Sequence, residues 1–143
     1  MITITEQGKP ITDDQIVALE NELGGKLSDA YRHFLIMNNG GKPYPDVVDI
    51  VDVPGSPTDV QIFFGIARSV ESSDLSWNLA LIADRCPGYH ILPIACDSGG
   101  NLFCLKVSNG VASEVLYCDM DAPVCAFYEV APSFNEFMEK IRL

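Results

Sequence analysis

The side chains best suited to covalent chemistry are five cysteines, at positions 86, 96, 104, 118 and 125. A cysteine nucleophile needs a histidine within hydrogen-bond reach and usually a third group that orients the histidine. The sequence offers His33, inside a predicted helix, and His90, just after a Pro-Gly turn. No serine or cysteine stands in a recognisable strand-to-helix elbow, so the sequence does not favour a catalytic triad. A pairing of one histidine with Cys96 or Cys104 stays open as a hypothesis.

The cysteine count also limits the structural roles of these residues. An odd number of cysteines without a Cys-x-x-Cys pair speaks against a full disulfide framework and against a cysteine-rich zinc site. Most of the cysteines lie in apolar runs, as Cys104 does between Phe103 and Leu105, where cysteine behaves as a small buried hydrophobe. We therefore expect five reduced thiols.

Carboxylates are numerous but are not arranged in a diagnostic pattern. Asp46, Asp49 and Asp52 are three residues apart, which in a strand places alternate members on opposite faces. Asp119 and Asp121 flank one methionine, and the other ligands of a calcium loop are missing there. No glycine-rich loop followed by lysine offers a phosphate site. We expect solvated turns and sheet edges, with no metal and no cofactor.

The loop from Asp97 to Asn101 allows two interpretations. Gly99 and Gly100 permit positive φ, while Asp97 and Asn101 can bond the local backbone, so the loop is typical of a stable hairpin turn. Alternatively, this loop and the Asn39-Gly40-Gly41 turn lie on a binding surface. The two interpretations are compatible.

Helix signals are clearest at the two ends of the chain. Thr12 and Gln15 form a predicted capping box, and Ser28 caps a second helix that ends at Asn39-Gly40-Gly41, so residues 12–39 are predicted to form a helical pair. Near the C-terminus, Ser133 and Glu136 form another capping box. It precedes an apolar helical stripe of Phe134, Phe137, Met138 and Ile141.

Between these helices the pattern changes to apolar runs bounded by turn residues, which is typical of strands. The predicted strands are residues 47–53, 60–66, 91–96, 102–107, 114–118 and 124–130, with a third helix from about 73 to 86. The sequence therefore predicts an α+β fold. We expect a single domain over residues 1–143, with a mainly antiparallel sheet bracketed by the N-terminal helical pair and the C-terminal helix.

Three segments, in this order, resemble the motifs of the SUKH superfamily. The first segment contains the second predicted helix, and its start and end match the family's motif at eight residues. They are Leu27, Tyr31, Arg32, Phe34, Leu35, Asn39, Gly40 and Gly41, and Ser28 stands where the family usually has proline. Residues 93–103 resemble the family's hairpin, with Asp97, Gly100 and Asn101 at its turn. Residues 130–137 resemble the closing helix of the family.

The resemblance implies a non-catalytic protein-binding domain. Such domains serve in bacteria as immunity proteins that neutralise polymorphic toxins, and in some eukaryotes in cell-wall regulation. We expect the matching motif residues to be mainly structural. Tyr31 is expected to pack between helix and sheet, and Arg32 to satisfy a nearby carboxylate or carbonyl.

The net charge of −11 narrows the class of partner. Residues 1–45 carry −2, residues 46–86 carry −5 and residues 87–143 carry −4, so the acidity lies mainly beyond the first two helices. Such a surface repels nucleic acid and anionic membranes and attracts basic proteins. The alternative, that acidity only aids solubility, stays open.

Interface energy is concentrated in aromatic and arginine anchors, which a polar rim surrounds. The candidate anchors are Tyr44, Trp77 and Tyr117, and the candidate rim residues are Asp49, Asp119 and Asp121. For Trp77 the more conventional expectation is a side chain that faces the core.

Our leading hypothesis is an immunity protein that binds a basic toxin domain and performs no chemistry. The alternatives are a regulatory scaffold or interaction module unrelated to toxins and, from a different class, a small enzyme with a cysteine or carboxylate centre. The N-terminus lacks a basic leader, and no apolar run approaches the ~20 residues that span a bilayer. We therefore expect a soluble, cytoplasmic protein.

Overall fold

Four α-helices, ten strands and one 3-10 helix (Glu71–Ser73) make up the regular structure of residues 2–143, which are the residues that the computed structural model describes. The helices are α1 (Asp13–Leu23), α2 (Asp29–Asn38), α3 (Leu75–Arg85) and α4 (Phe134–Lys140). The strands are β1 (Thr3–Thr5), β2 (Lys26–Leu27), β3 (Lys42–Tyr44), β4 (Val47–Val48), β5 (Thr58–Asp59), β6 (Ile62–Phe63), β7 (Ile91–Cys96), β8 (Leu102–Ser108), β9 (Val111–Asp119) and β10 (Ala126–Ala131).

The central sheet has the order β10-β9-β8-β7-β6, and each neighbouring pair is antiparallel. Strand β2 adds a short parallel pairing at the start of β9. Two small antiparallel pairs, β1 with β3 and β4 with β5, lie outside this sheet. The α+β single domain with a mainly antiparallel sheet is therefore confirmed. No helix of residues 2–143 is long and apolar enough to cross a bilayer.

The predicted helix starts are confirmed. The Thr12 side chain accepts a hydrogen bond from the Gln15 amide and the Gln15 side chain accepts one from the Thr12 amide, which completes the capping box. The Ser28 and Ser133 side chains cap α2 and α4 by accepting the amide hydrogens of Tyr31 and Glu136. In α4 the Glu136 carboxylate accepts the Ser133 hydroxyl hydrogen rather than the Ser133 amide hydrogen, so the predicted capping box is only half formed. For α3 the cap is Asp74, whose carboxylate accepts the amide hydrogen of Trp77, so this helix begins after the predicted Ser73.

The predicted strands 47–53 and 60–66 are too long. Only Val47–Val48 and Ile62–Phe63 are strands, and the residues after β4 form turns in which Asp52 has a φ of 69°. Val60 is nevertheless fully buried. Burial of an apolar run therefore indicates the core here, but it does not by itself indicate strand pairing.

An aromatic cluster joins the helices to one face of the sheet. Its ring centroids lie 4.8–6.3 Å apart, in the tilted, edge-on and offset arrangements that aromatic pairs prefer. The members are Tyr31 and Phe34 of α2, Phe63 of β6, Phe103 of β8, and Phe134 and Phe137 of α4. The Tyr31 side chain is fully buried, and its hydroxyl has no hydrogen-bond partner within residues 2–143.

Because the Tyr31 hydroxyl has no partner, the contributions of the ring and of the oxygen to stability can be measured separately. Tyr31→Ala removes the buried ring and should lower the free energy of unfolding by about 3–5 kcal/mol. Tyr31→Phe removes only a buried polar atom without a partner, so it should leave stability unchanged or raise it by about 1 kcal/mol. Urea denaturation of both variants measures this difference. A Tyr31→Phe protein destabilised by more than about 2 kcal/mol would show that the hydroxyl is bonded in solution.

Candidate partner-binding surface

A buried carboxylate organises the turn between β7 and β8. Asp97 is 3% exposed, and its Oδ1 accepts the amide hydrogens of Gly99 at 3.0 Å and Asn101 at 2.8 Å. Gly100 has a φ of 86°, which suits glycine at this position of the turn. The hairpin predicted between Asp97 and Asn101 is therefore present, and its aspartate faces inward.

The second carboxylate oxygen of Asp97 joins this turn to two other segments. Oδ2 accepts the hydroxyl hydrogen of Thr58 at 2.8 Å and that of Tyr117 in a short hydrogen bond. We call these residues, Asp97, Asn101, Thr58 and Tyr117, the Asp97 hub. Tyr117 is 4% exposed, so its prediction as an interface anchor is wrong. Burial, together with the hydrogen bond to Asp97 and its charge, raises the pKa of the Tyr117 hydroxyl.

The Asp97 hub positions acidic side chains on both sides of the turn. Next to Asp97, the Ser98 amide donates to the Asp59 carboxylate at 2.8 Å. On the other side, the Asn101 side-chain oxygen accepts the Met120 amide hydrogen at 2.9 Å, which fixes the turn that carries the predicted Asp119 and Asp121. We call Asp59, Asp119 and Asp121 the acidic face.

The turn at the end of β9 has further supports. One Arg85 nitrogen, Nη2, donates to the carbonyl oxygens of Met120 at 2.7 Å and Ala122 at 3.0 Å. Within the turn, Asp119 accepts the amide hydrogen of Asp121 at 3.0 Å. The carboxylate of Asp121 is exposed. The backbone of the acidic face is thus held in place while negative charge faces solvent.

A disulfide joins Cys86, at the end of α3, to Cys125, before β10. The expectation of five reduced thiols is therefore wrong for this pair. The two cysteines are 39 residues apart in sequence, and only the packing of α3 beside the β9–β10 connection brings their Cα atoms to 5.9 Å. That distance suits a disulfide, and nothing in the local sequence indicates it.

The other three cysteines lie in surroundings that disfavour the thiolate. Burial raises the pKa of the Cys96 thiol to about 11 and raises those of Cys104 and Cys118 as well. His33 is exposed on α2, and His90 places its Nε2 2.6 Å from the Leu23 carbonyl oxygen. Within residues 2–143 no histidine is hydrogen-bonded to a cysteine sulfur, so the hypothesis of a cysteine–histidine pair gains no support. In the same residues no group of three or more His, Cys, Asp or Glu is placed to hold a metal.

The Asn39-Gly40-Gly41 turn is a structural junction. The side-chain nitrogen Nδ2 of Asn39 donates to the carbonyl oxygens of Lys9 and Ile66, both at 2.9 Å, and its Oδ1 accepts the backbone amide hydrogen of Ile66 at 2.7 Å. Asn39, Gly40 and Gly41 are all buried, so the interpretation of this turn as part of a binding surface is wrong. Gly40 has φ 84° and Gly41 has φ 131°, conformations that favour glycine at the predicted end of the helix. A Cβ on Gly40 would lie 2.6 Å from the Phe63 carbonyl oxygen.

Arg32 of α2 joins the two N-terminal helices. Its Nη2 lies 2.9 Å from Oε1 of Glu20, a buried carboxylate on α1. The other Glu20 oxygen accepts the Leu27 amide hydrogen at 2.8 Å. The buried charge of Glu20 is therefore both paired and hydrogen-bonded, as a buried charge requires. Leu27 and Leu35 complete this region as buried apolar side chains.

The remaining predicted site residues lie on β3, on α3 and in the segment after β4. Tyr44 of β3 is 66% exposed, and Trp77 of α3 is 37% exposed, so the expectation that Trp77 faces the core is wrong. Asp49 accepts hydrogen bonds from Arg142 Nε at 2.6 Å and Nη2 at 2.8 Å, which lowers the pKa of its carboxyl group. Because Arg142 neutralises it, Asp49 adds little to the negative surface. Within residues 2–143 no hydrogen bond links these residues to the acidic face.

Sequence reasoning identified Asp119 and Asp121 but missed Thr58, Asp59, Ser98 and Arg85. Thr58 and Asp97 are 39 positions apart, and Arg85 and Met120 are 35 apart. The only feature of the sequence that bears on these contacts is that Asp97 can bond the local backbone. That feature does not predict a contact with a loop distant in sequence.

Comparison with known proteins agrees with this architecture. A family model described as the SMI1 / KNR4 family (SUKH-1) matches residues 10–140. The chain is also 30% identical, over 145 aligned residues, to the "SPbeta prophage-derived uncharacterized protein YokK" of Bacillus subtilis (strain 168). That alignment covers 89% of this chain and 72% of the relative. The chain belongs to the SMI1/KNR4 (SUKH-1) family, as the three resembling segments predicted.

The Asp97 hub should be a major source of stability. Asp97→Ala leaves the buried hydroxyl of Tyr117 and the half-buried donors of Thr58 and Asn101 without their acceptor, which should lower the free energy of unfolding by about 2–4 kcal/mol. The matched control is Asp84→Ala, which removes an exposed carboxylate of α3 and should change stability by less than about 0.5 kcal/mol. Chemical denaturation monitored by circular dichroism measures both. Equal effects of the two substitutions would contradict the role of the hub.

Alkaline pH should weaken the fold partly through Tyr117. Because its pKa is raised in the folded state, the hydroxyl keeps a proton there that the unfolded chain loses above about pH 10. The stabilisation is therefore complete below pH 10 and declines as pH rises further. In Tyr117→Phe the unfolding free energy should fall less steeply with pH. The difference in slope should correspond to about one bound proton per molecule. Unfolding midpoints between pH 8 and 11.5 measure the slopes, and identical slopes would contradict this prediction.

Proposed function

We propose that this chain is an immunity-type protein that neutralises a basic toxin domain by binding it. Membership of the SUKH-1 family, which includes toxin-immunity proteins, supports this proposal. The observation that carries it is a surface with excess negative charge that the protein does not neutralise internally. Binding alone accounts for the role, and no residue is assigned to catalysis.

The unpaired acidity is the first support. Among the 20 acidic residues of the chain, only Glu20 and Asp49 form salt bridges within residues 2–143. Asp119 and Asp121 have no cationic partner there. Such carboxylates attract a basic partner over about 10 Å at moderate ionic strength. A basic toxin is thus a complementary partner.

The support of the acidic face by the Asp97 hub is the second argument. Side chains and backbone that are already ordered lose less entropy when a partner binds. Hydrogen bonds donated by Ser98 and Arg85, and one accepted by the Asn101 side chain, fix the segments that carry the three aspartates of the acidic face. The acidic face is therefore a preorganised docking surface for cationic side chains.

We propose that the protein acts in the cytoplasm. Thiols are kept reduced in that compartment. Cys96, Cys104 and Cys118 carry free thiols, whereas Cys86 and Cys125 form a disulfide beside Arg85, which holds the turn after β9 through its two carbonyl contacts.

The proposal is tested with the protein encoded immediately beside this gene as the partner. Expression of that protein should be toxic, and coexpression of this chain should restore growth. The purified pair should associate about tenfold more slowly at physiological than at low salt, with little change in the dissociation rate. The reason is that salt screens the long-range electrostatic attraction that speeds encounter. Failure to restore growth would overturn the immunity role. Association that is indifferent to salt would overturn the steering.

Two double variants distinguish the effect of the acidic face on association from the effect of net charge. Asp119→Asn with Asp121→Asn should slow association at low salt severalfold, since rim charges act mainly on the association rate. Asp13→Asn with Asp14→Asn changes net charge equally on exposed positions of α1 and should have a much smaller effect. Stopped-flow association rates compare them. Equal slowing by both doubles would show that net charge, and not the acidic face, guides the partner.

A further inference from the structure

The sheet face opposite the aromatic cluster carries a groove that the acidic face does not use. The groove lies between the segment after α3 and the edge strand β10 and has a volume of about 290 Å³. We call it the aromatic groove, and define it by Tyr89, Lys106, Glu114, Leu116, Phe127 and Glu129.

Two aromatic rings in a tilted arrangement line the aromatic groove. The centroids of Tyr89 and Phe127 lie 4.8 Å apart at an interplanar angle of 44°, and Tyr89 is 52% exposed. Leu116 of β9 lies opposite Glu129 in the β9–β10 register and is 9% exposed. The groove therefore offers both an aromatic face and an aliphatic surface to a ligand.

The aromatic groove continues around the edge of the sheet. Glu114, Phe127 and Glu129 also line a second cavity, of about 650 Å³, which reaches Val51 and Pro132 along β10. Strand β10 has β9 as its neighbour on one side and is the outer strand of the sheet. A ligand can therefore enter from the open edge as an extended segment.

Two carboxylates border the ring pair without an internal partner. Within residues 2–143, Glu114 and Glu129 form no salt bridge and accept no side-chain hydrogen bond. Lys106 stands opposite Glu114 in the β8–β9 register, but its ammonium is not in salt-bridge contact with that carboxylate. In the adjoining cavity, Lys140 is engaged with the Val130 carbonyl oxygen at 2.7 Å.

This arrangement has the features that recognise a guanidinium group. A guanidinium is planar and weakly hydrated, stacks on aromatic rings and donates two parallel hydrogen bonds to a carboxylate. An ammonium is compact and strongly hydrated, so it binds less favourably to the aromatic rings. Phosphate is disfavoured because two unpaired carboxylates border the site.

We propose that the aromatic groove binds an arginine side chain of a basic polypeptide, with an apolar neighbour of that arginine packed on Leu116. The inference rests on the proposed function, because the arginine belongs to the basic toxin partner. Charge complementarity argues for this occupant: the chain carries −11, and the groove adds unpaired Glu114 and Glu129 beside the rings.

The test needs no toxin and uses the tripeptide acetyl-Leu-Arg-Leu-amide as the probe. Titration into the isotope-labelled full chain should shift NMR signals of Tyr89, Phe127 and their neighbours, with saturation in the millimolar range expected for so small a ligand. Replacing arginine by lysine should weaken binding about threefold or more, and replacing it by neutral citrulline should weaken it further.

Matched variants assign the contacts. Glu129→Gln should weaken binding of the tripeptide about threefold to tenfold, whereas Glu71→Gln, at another exposed glutamate, should leave it unchanged. Tyr89→Ala should weaken binding, whereas Tyr44→Ala, at a similarly exposed tyrosine, should not. Lys106→Gln should strengthen binding about twofold, because it removes a like charge from the groove.

Several results would overturn the inference. These are the absence of saturable shifts at 20 mM tripeptide, shifts spread over the acidic face, and equal loss in Glu129→Gln and Glu71→Gln. Groove signals that move with protein concentration in the absence of peptide would assign the groove to a second copy of the chain and also overturn it. The growth assay tests the proposed function separately, since toxin neutralisation with an inert groove would leave immunity intact.

Discussion

The structure depends on the nearly buried carboxylate side chain of Asp97. A buried carboxylate is costly unless several donors surround it, and here two backbone amides and two hydroxyls do so. The donors come from the turn itself, from the segment at Thr58 and from β9. Satisfying one charge therefore fixes three segments that are distant in sequence, and the acidic face is carried by residues adjacent to them.

The family motifs act in this way throughout the chain. Asn39 uses its amide to connect α2 with the segments at Lys9 and Ile66, and Arg32 compensates the buried Glu20. The Asn39 and Glu20 side chains thereby supply hydrogen bonds that the backbone at Lys9, Ile66 and Leu27 would otherwise lack. The motif residues thus build the scaffold, and the surfaces available to a partner consist of other residues.

Sequence reasoning succeeded where the signal is local. Caps at Thr12, Ser28 and Ser133 and the positive φ of Gly40 follow from side-chain reach and from backbone sterics, and β7 to β10 follow from long apolar runs. Burial of Tyr117, exposure of Trp77 and the Cys86–Cys125 pair depend on how elements pack. The aromatic groove was not predicted for the same reason, since its rings are separated by 38 positions in sequence and meet only across the sheet.

The two surfaces differ in the part of binding that each can control. Charges of the acidic face stay hydrated, so they act mainly on encounter and are screened by salt. The ring pair of the aromatic groove can be desolvated by a bound side chain, and such anchors act mainly on dissociation. A partner that is broadly basic but lacks an arginine suited to the groove would be attracted quickly and released quickly. Selectivity among basic partners would then come from the aromatic groove, because long-range attraction does not distinguish one cationic surface from another.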